Sequence, residues 1–183
     1  MRRLPGFAQV LIGLALLTSG CLKLDLFKRG DGQLAMAKGP RAGSAAPEIE
    51  GEDFNGQRFK LSDYRGKVVV VTFWASWCRY CLEKFPHEQA LVQRYQGRPF
   101  AFLGVNNDED HAAALKVIAS HGINWRNWQT SGTHDPINQR WGVKEWPTTY
   151  VIDANGIIRY TRVSGVQLEN AIETLLAEAE KAR

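Results

Sequence analysis

The residues best equipped for chemistry in this chain are two cysteines, Cys78 and Cys81, in the run Phe73-Trp74-Ala75-Ser76-Trp77-Cys78-Arg79-Tyr80-Cys81. Two thiols three positions apart at the start of a helix can approach to disulfide distance without distorting the backbone. The first sits where unpaired N–H groups and the helix dipole favour an anion, so Cys78 is the expected thiolate. Cys81, one turn inside, is expected to be more buried and to stay protonated until needed. Zinc sites also use Cys-x-x-Cys, but they require about four ligands. The only other cysteine is Cys21, and His87, His111, His121 and His134 do not pair at ligand spacing. His87 follows on the same helix and could turn toward Cys81. A purely structural disulfide would close too short a loop to stabilise the chain much. The site is therefore read as a redox-active Cys78–Cys81 pair that needs no metal and no further cofactor.

These cysteines must be positioned by a strand and a helix, and the flanking sequence provides both. Lys67–Phe73 is a β-branched run of the kind buried on both sheet faces. A helix is predicted from about Cys78 to Tyr95, interrupted near Pro86, which lacks an N–H and crowds the preceding turn. Pro99–Val105 reads as a second buried strand, His111–His121 as a helix closed by Gly122, and Ile123–Arg126 as a short strand. A short helix follows over Pro136–Trp141. Thr148–Ile152 and Ile157–Tyr160 flank Asp153-Ala-Asn-Gly156, a hairpin signal. A final helix over Gln167–Lys181 places Leu168, Ile172, Leu175, Leu176 and Ala179 on one stripe. Upstream, Asn55-Gly56 is a hairpin dipeptide before the edge strand Arg58–Leu61. Alternating strands and helices, then a hairpin and a helix, give an α/β three-layer sandwich with a mixed central sheet.

The N-terminal segment reads as an address. Met1-Arg2-Arg3 precedes the apolar stretch Phe7–Leu17, which is too short to span a membrane and suits the h-region of an export signal. Thr18-Ser19-Gly20-Cys21 resembles the lipobox of bacterial lipoproteins, departing from it at Thr18, where an aliphatic residue is usual. That resemblance implies a signal peptide over residues 1–20 and lipidation of Cys21. Residues 21–45, rich in glycine and scattered charge, read as a flexible tether, with the domain over 46–183. The expected location is the cell envelope, on the periplasmic side, lipid-anchored to a membrane. The formal charge of +4 concentrates in these leading segments. Residues 1–20 contribute +2 and residues 21–45 contribute +3, leaving −1 for the domain. A near-neutral body argues against nucleic-acid binding, which needs a basic face.

A second motif, Trp141-Gly-Val143-Lys-Glu-Trp146-Pro147-Thr148, places Pro147 66 residues after Cys81. With Trp77-Cys78-x-x-Cys81, it resembles the thioredoxin superfamily. Asn55-Gly56, Leu61-Ser-Asp-Tyr-Arg-Gly-Lys67 and the Asp153–Gly156 hairpin more closely resemble its exported TlpA-like thiol–disulfide oxidoreductases. The resemblance covers about residues 46–180 and implies a thioredoxin-like fold. It also implies a cis Pro147 that lies against the cysteines, and Trp77, Arg79, Tyr80, Trp146 and Pro147 as residues that meet the substrate. The implied partners are protein thiols or disulfides, with an upstream membrane reductant if the protein acts as a reductase.

Departures from the pattern bear on direction. Arg79-Tyr80 stands where Gly-Pro is frequent; Arg79 either favours the Cys78 thiolate, making the pair more oxidising, or is simply solvated. The acids that serve relatives as a base for the second thiol are replaced by Thr72 and Lys84, leaving Glu83, if it turns inward, or water. Trp125, Trp128 and Trp141 are read as packing. Asn106-Asn-Asp-Glu-Asp110 is read as a solvated helix start with a capping acid. The alternative functions are a peroxide-reducing redoxin, which needs Thr and Arg beside its cysteine, and a non-catalytic metal carrier that uses the two thiols.

Overall fold

The structure, a computed structural model, describes residues 39–182. The expected signal peptide and lipidated Cys21 lie outside the described residues. The described residues form seven strands, β1 (Glu50–Glu52), β2 (Arg58–Lys60), β3 (Val68–Trp74), β4 (Phe100–Asn106), β5 (Asn127–Gln129), β6 (Thr148–Ile152) and β7 (Ile158–Thr161). Four α-helices accompany them: α1 (Arg79–Arg94), α2 (His111–His121), α3 (Pro136–Trp141) and α4 (Val166–Lys181).

The five-stranded sheet has the order β5-β4-β3-β6-β7. Strands β3, β4 and β5 are parallel, whereas β6 and β7 join antiparallel, so the sheet is mixed, as the sequence predicts. Every residue of β3 is buried, and its period of two divides the core. Val68, Val70 and Trp74 face the layer of α1, α2 and α4. Val69, Val71 and Phe73 face the layer formed by the β1–β2 hairpin and α3. The five α4 residues assigned to one stripe are all buried, as are Trp125, Trp128 and Trp141.

Local signals place most element ends. Asp110 caps α2 by accepting from the Ala112 and Ala113 N–H groups, and Gly122 ends that helix at φ 62°, in the left-handed region. Asp135 caps α3 with Pro136 in its first turn. Three expectations need correction. First, α1 is not interrupted at Pro86, which lies inside a continuous helix. Losing one N–H is tolerated because Phe85 and Leu91 on either side are buried in the core. Second, the strand expected over 123–126 forms at Asn127–Gln129, because Ile123 and Trp125 turn into the core. Third, the expected tether overlaps the fold at its end: Gly43 N–H donates to Ile158 O at 2.7 Å, and Ala45 bridges Ile157.

Gly104 on β4 makes room for a bond that holds the end of β3. Trp74 Nε1 donates to Asn127 Oδ1 at 2.7 Å. A Cβ at Gly104 would lie 1.7 Å from that oxygen and 2.9 Å from the indole nitrogen. Gly104→Ala is expected to displace the amide, leave a buried donor unpaired and lower unfolding free energy by about 2 kcal/mol. Chemical denaturation measures it, as a lower midpoint at unchanged slope.

Candidate active site

β3 ends at Trp74, and Ala75-Ser76-Trp77 turns the chain into α1. Cys78 N–H closes the turn on Ala75 O at 3.1 Å. Cys78 is the N-cap of α1, with its sulfur accepting from the Cys81 N–H at 3.1 Å. The cysteine thus takes the place of the usual Ser or Asp cap, directing one of the unpaired helix N–H groups at sulfur. The two cysteines form a disulfide, with their Cα atoms 5.3 Å apart. Cys78 is 6% exposed and Cys81 2%, the order expected for an outer and an inner sulfur.

Trp77 and Tyr80 are 58% and 71% exposed. Aromatic side chains this open next to a reactive pair are the kind of feature that marks an interaction surface. The peptide bond between Trp146 and Pro147 is cis. Trp146, half-buried, meets Trp77 edge to face at a centroid distance of 5.4 Å. The fold thus brings Trp77 and the residue before Pro147 together across about 70 positions of chain.

Arg79 adopts the solvated arrangement. Its Nε donates to Glu83 Oε1 at 2.9 Å, one turn on, with both side chains largely exposed. Glu83 consequently does not turn inward. His87 does not turn toward Cys81 either, since its Nε2 lies 2.7 Å from Glu169 Oε1 on α4. That contact and Arg94 lower the pKa of the Glu169 carboxyl.

Two features of the site region escape the sequence. The first is Glu88, on the buried stripe of α1 with Cys81, Phe85 and Leu91. Its Oε2 has no hydrogen-bond partner, and burial pushes its pKa to about 7, with Lys84 opposing. An acid seven positions after Cys81 matched no pattern, although the i, i+4, i+7 spacing with Cys81 and Phe85 could have revealed it.

The second feature corrects the reading of residues 106–110 as solvated. Asn106, Asn107 and Asp108 are buried; among these five, the expected capping role belongs to Asp110. Asp108 accepts from Ser76 N–H and Ser76 Oγ, both at 2.8 Å, and from Asn106 Nδ2 at 2.7 Å. The carboxylate thereby pins the turn that leads into Cys78. Residue types that usually seek water are satisfied here by the segments that close over them.

Comparison with known proteins agrees with this geometry. The model of the AhpC/TSA family matches residues 42–161. The thiol-disulfide oxidoreductase ResA of Bacillus subtilis is 31% identical over 130 residues, covering 71% of this chain and 71% of ResA. ResA of Geobacillus kaustophilus is 30% identical over 131 residues, covering 72% of this chain and 74% of its own length. Among solved structures, the thioredoxin domain of a thiol-disulfide oxidoreductase from Bacteroides vulgatus aligns with a TM-score of 0.70 at 25% identity. That alignment covers 74% of this chain and 98% of the domain.

Proposed function

The chain belongs to the AhpC/TSA family, among its thioredoxin-fold thiol–disulfide oxidoreductases, and we propose that it works outside the cytoplasm, tethered to a membrane through Cys21, reducing disulfides of partner proteins. The observation that supports this reading best is the Cys78–Cys81 disulfide at the N-terminus of α1, with Trp77 and Tyr80 open beside it. The leader and the lipobox-like Thr18–Cys21 support export and anchoring.

In the reductive direction the Cys78 thiolate attacks one sulfur of a partner disulfide. A Cys78–partner mixed disulfide forms, and the partner's other sulfur leaves as a thiolate that takes up a proton. Cys81 then gives up its proton and attacks the Cys78 sulfur, closing the Cys78–Cys81 disulfide and expelling the second partner thiolate. Two electrons have passed to the partner, and a dithiol donor at the membrane must restore the reduced pair. That donor is required because an oxidising compartment supplies no reductant of its own. The cis Trp146-Pro147 segment, with Trp77, Arg79 and Tyr80, is where an extended partner strand would lie.

Arg79 is turned to Glu83 at the surface rather than committed to the Cys78 sulfur, an arrangement that supports the reductive direction. The peroxide-reducing alternative needs an arginine beside its cysteine, and Arg79 is here engaged by Glu83 at 2.9 Å. The test is insulin reduction with dithiothreitol as electron source, followed as precipitation of the separated B chain. The protein is expected to accelerate precipitation over dithiothreitol alone. No acceleration would rule out the reading, whereas rapid peroxide turnover under the same conditions would establish the alternative.

A further inference from the structure

We infer that Asn107 is a positioning residue for disulfide exchange with proteins, fixing the Trp146 ring against Trp77 beside the cysteine pair. The inference rests on the protein-disulfide reading above and deepens it. Asn107 is buried at the end of β4 and is bonded on three sides. Its backbone N–H donates to Trp74 O at 2.9 Å, the last residue of β3. Its Nδ2 donates to Thr130 Oγ1 at 2.9 Å, and Thr130 is itself buried and donates to Asn106 O at 2.7 Å. With the amide nitrogen so engaged, the side-chain oxygen points the other way, where it accepts from Trp146 Nε1 at 2.6 Å.

The consequence is geometric. Trp146 is only half-buried, and its apolar ring alone would leave it several orientations. The single N–H of an indole, once bound to a buried oxygen, selects one of them. In that orientation Trp146 stands edge to face with the exposed Trp77, the residue before Cys78. Asn107 thereby couples the end of β3, from which the cysteine loop departs, to the loop that holds Pro147. A partner strand meeting this wall encounters aromatic surface already in place, so binding need not order a large side chain at that moment.

A small disulfide that touches only the Cys78 sulfur gains nothing from the wall, which separates this role from a merely structural one. The test compares steady-state reduction of insulin with that of bis(2-hydroxyethyl) disulfide in the wild type, Asn107→Ala, Trp146→Phe and the double variant. Trp146→Phe keeps an aromatic ring but loses the N–H together with the five-membered ring that carries it, so it breaks the same bond if Asn107→Ala folds poorly. Each single variant is expected to raise KM for insulin about three- to tenfold, the size of one lost orienting contact. In Asn107→Ala turnover of the small disulfide should be unchanged, and the double variant should be no worse toward insulin than Trp146→Phe alone, as for two partners in one bond. An unchanged KM for insulin in both singles, additive losses in the double variant, or an equal loss toward both substrates in Asn107→Ala would overturn the inference. A wild type active on the small disulfide but inert toward insulin would instead remove the protein-disulfide reading, and this inference with it.

Discussion

Replacing Cys78 with serine is expected to abolish insulin reduction, lowering the rate on the order of 10³-fold or more, as loss of an activated nucleophile does. The Cys78 sulfur caps α1 and is the more open of the pair. A serine oxygen in the same place can still cap the helix, so the fold should survive. It cannot attack a disulfide at neutral pH, because its proton is held far too tightly. Cys81 cannot substitute: it lies one turn inside and is 2% exposed. Cys81→Ser should give a different outcome, a first attack of normal rate followed by a stalled mixed disulfide with the partner. Intact mass under non-reducing conditions reads that adduct directly. If Cys78→Ser retained activity while Cys81→Ser lost it, the roles of the two sulfurs would have to be exchanged.

Glu88→Gln is expected to stabilise the protein, by an amount that grows as pH rises from about 4.5 toward 7 and levels off above it. The carboxyl is buried on α1 without a partner for Oε2, and its pKa is pushed from 4.5 to about 7. The proton is thus held more tightly in the folded state than in the unfolded one. Below about pH 4.5 the group is neutral in both states and costs nothing. As pH rises toward 7 the unfolded chain releases the proton first, and folding stability declines. Above 7 the penalty levels off at about 3 kcal/mol, from 1.36 kcal/mol for each unit of displacement. A neutral amide of the same shape removes that penalty, so the variant should gain about 3 kcal/mol at pH 8 and almost nothing at pH 4. Urea unfolding at the two pH values measures this. A gain of equal size at both would show that packing, not ionisation, separates the two side chains.

Glu88 and the 106–108 segment mark the boundary of what could be read along the chain. The α/β order, the buried strand before Cys78, the α2 and α3 caps, the Asp153–Gly156 hairpin and the α4 stripe are written in short-range patterns. Hydrophobic period, capping residues and turn dipeptides act over a few positions and need no knowledge of what lies across the molecule. The cysteine pair belongs with them, because three positions at a helix start suffice to bring two sulfurs together.

Polar residues near the site behaved otherwise. Asp108 is satisfied by Ser76, 32 positions away, and Asn107 by Trp146, 39 positions away. Nothing in the string Asn106-Asn-Asp-Glu-Asp tells whether water or protein will occupy those hydrogen bonds, since the same side chains serve both. Arg79 and Glu83 are equally ambiguous in the sequence, since only the packing of α1 decides which of its faces points outward. The amino-acid sequence alone determined where the reactive sulfurs stand and which helix presents them. Only the tertiary structure decided which polar groups are withdrawn from water to hold the surrounding wall, because the burial of a polar group depends on which distant segment closes over it.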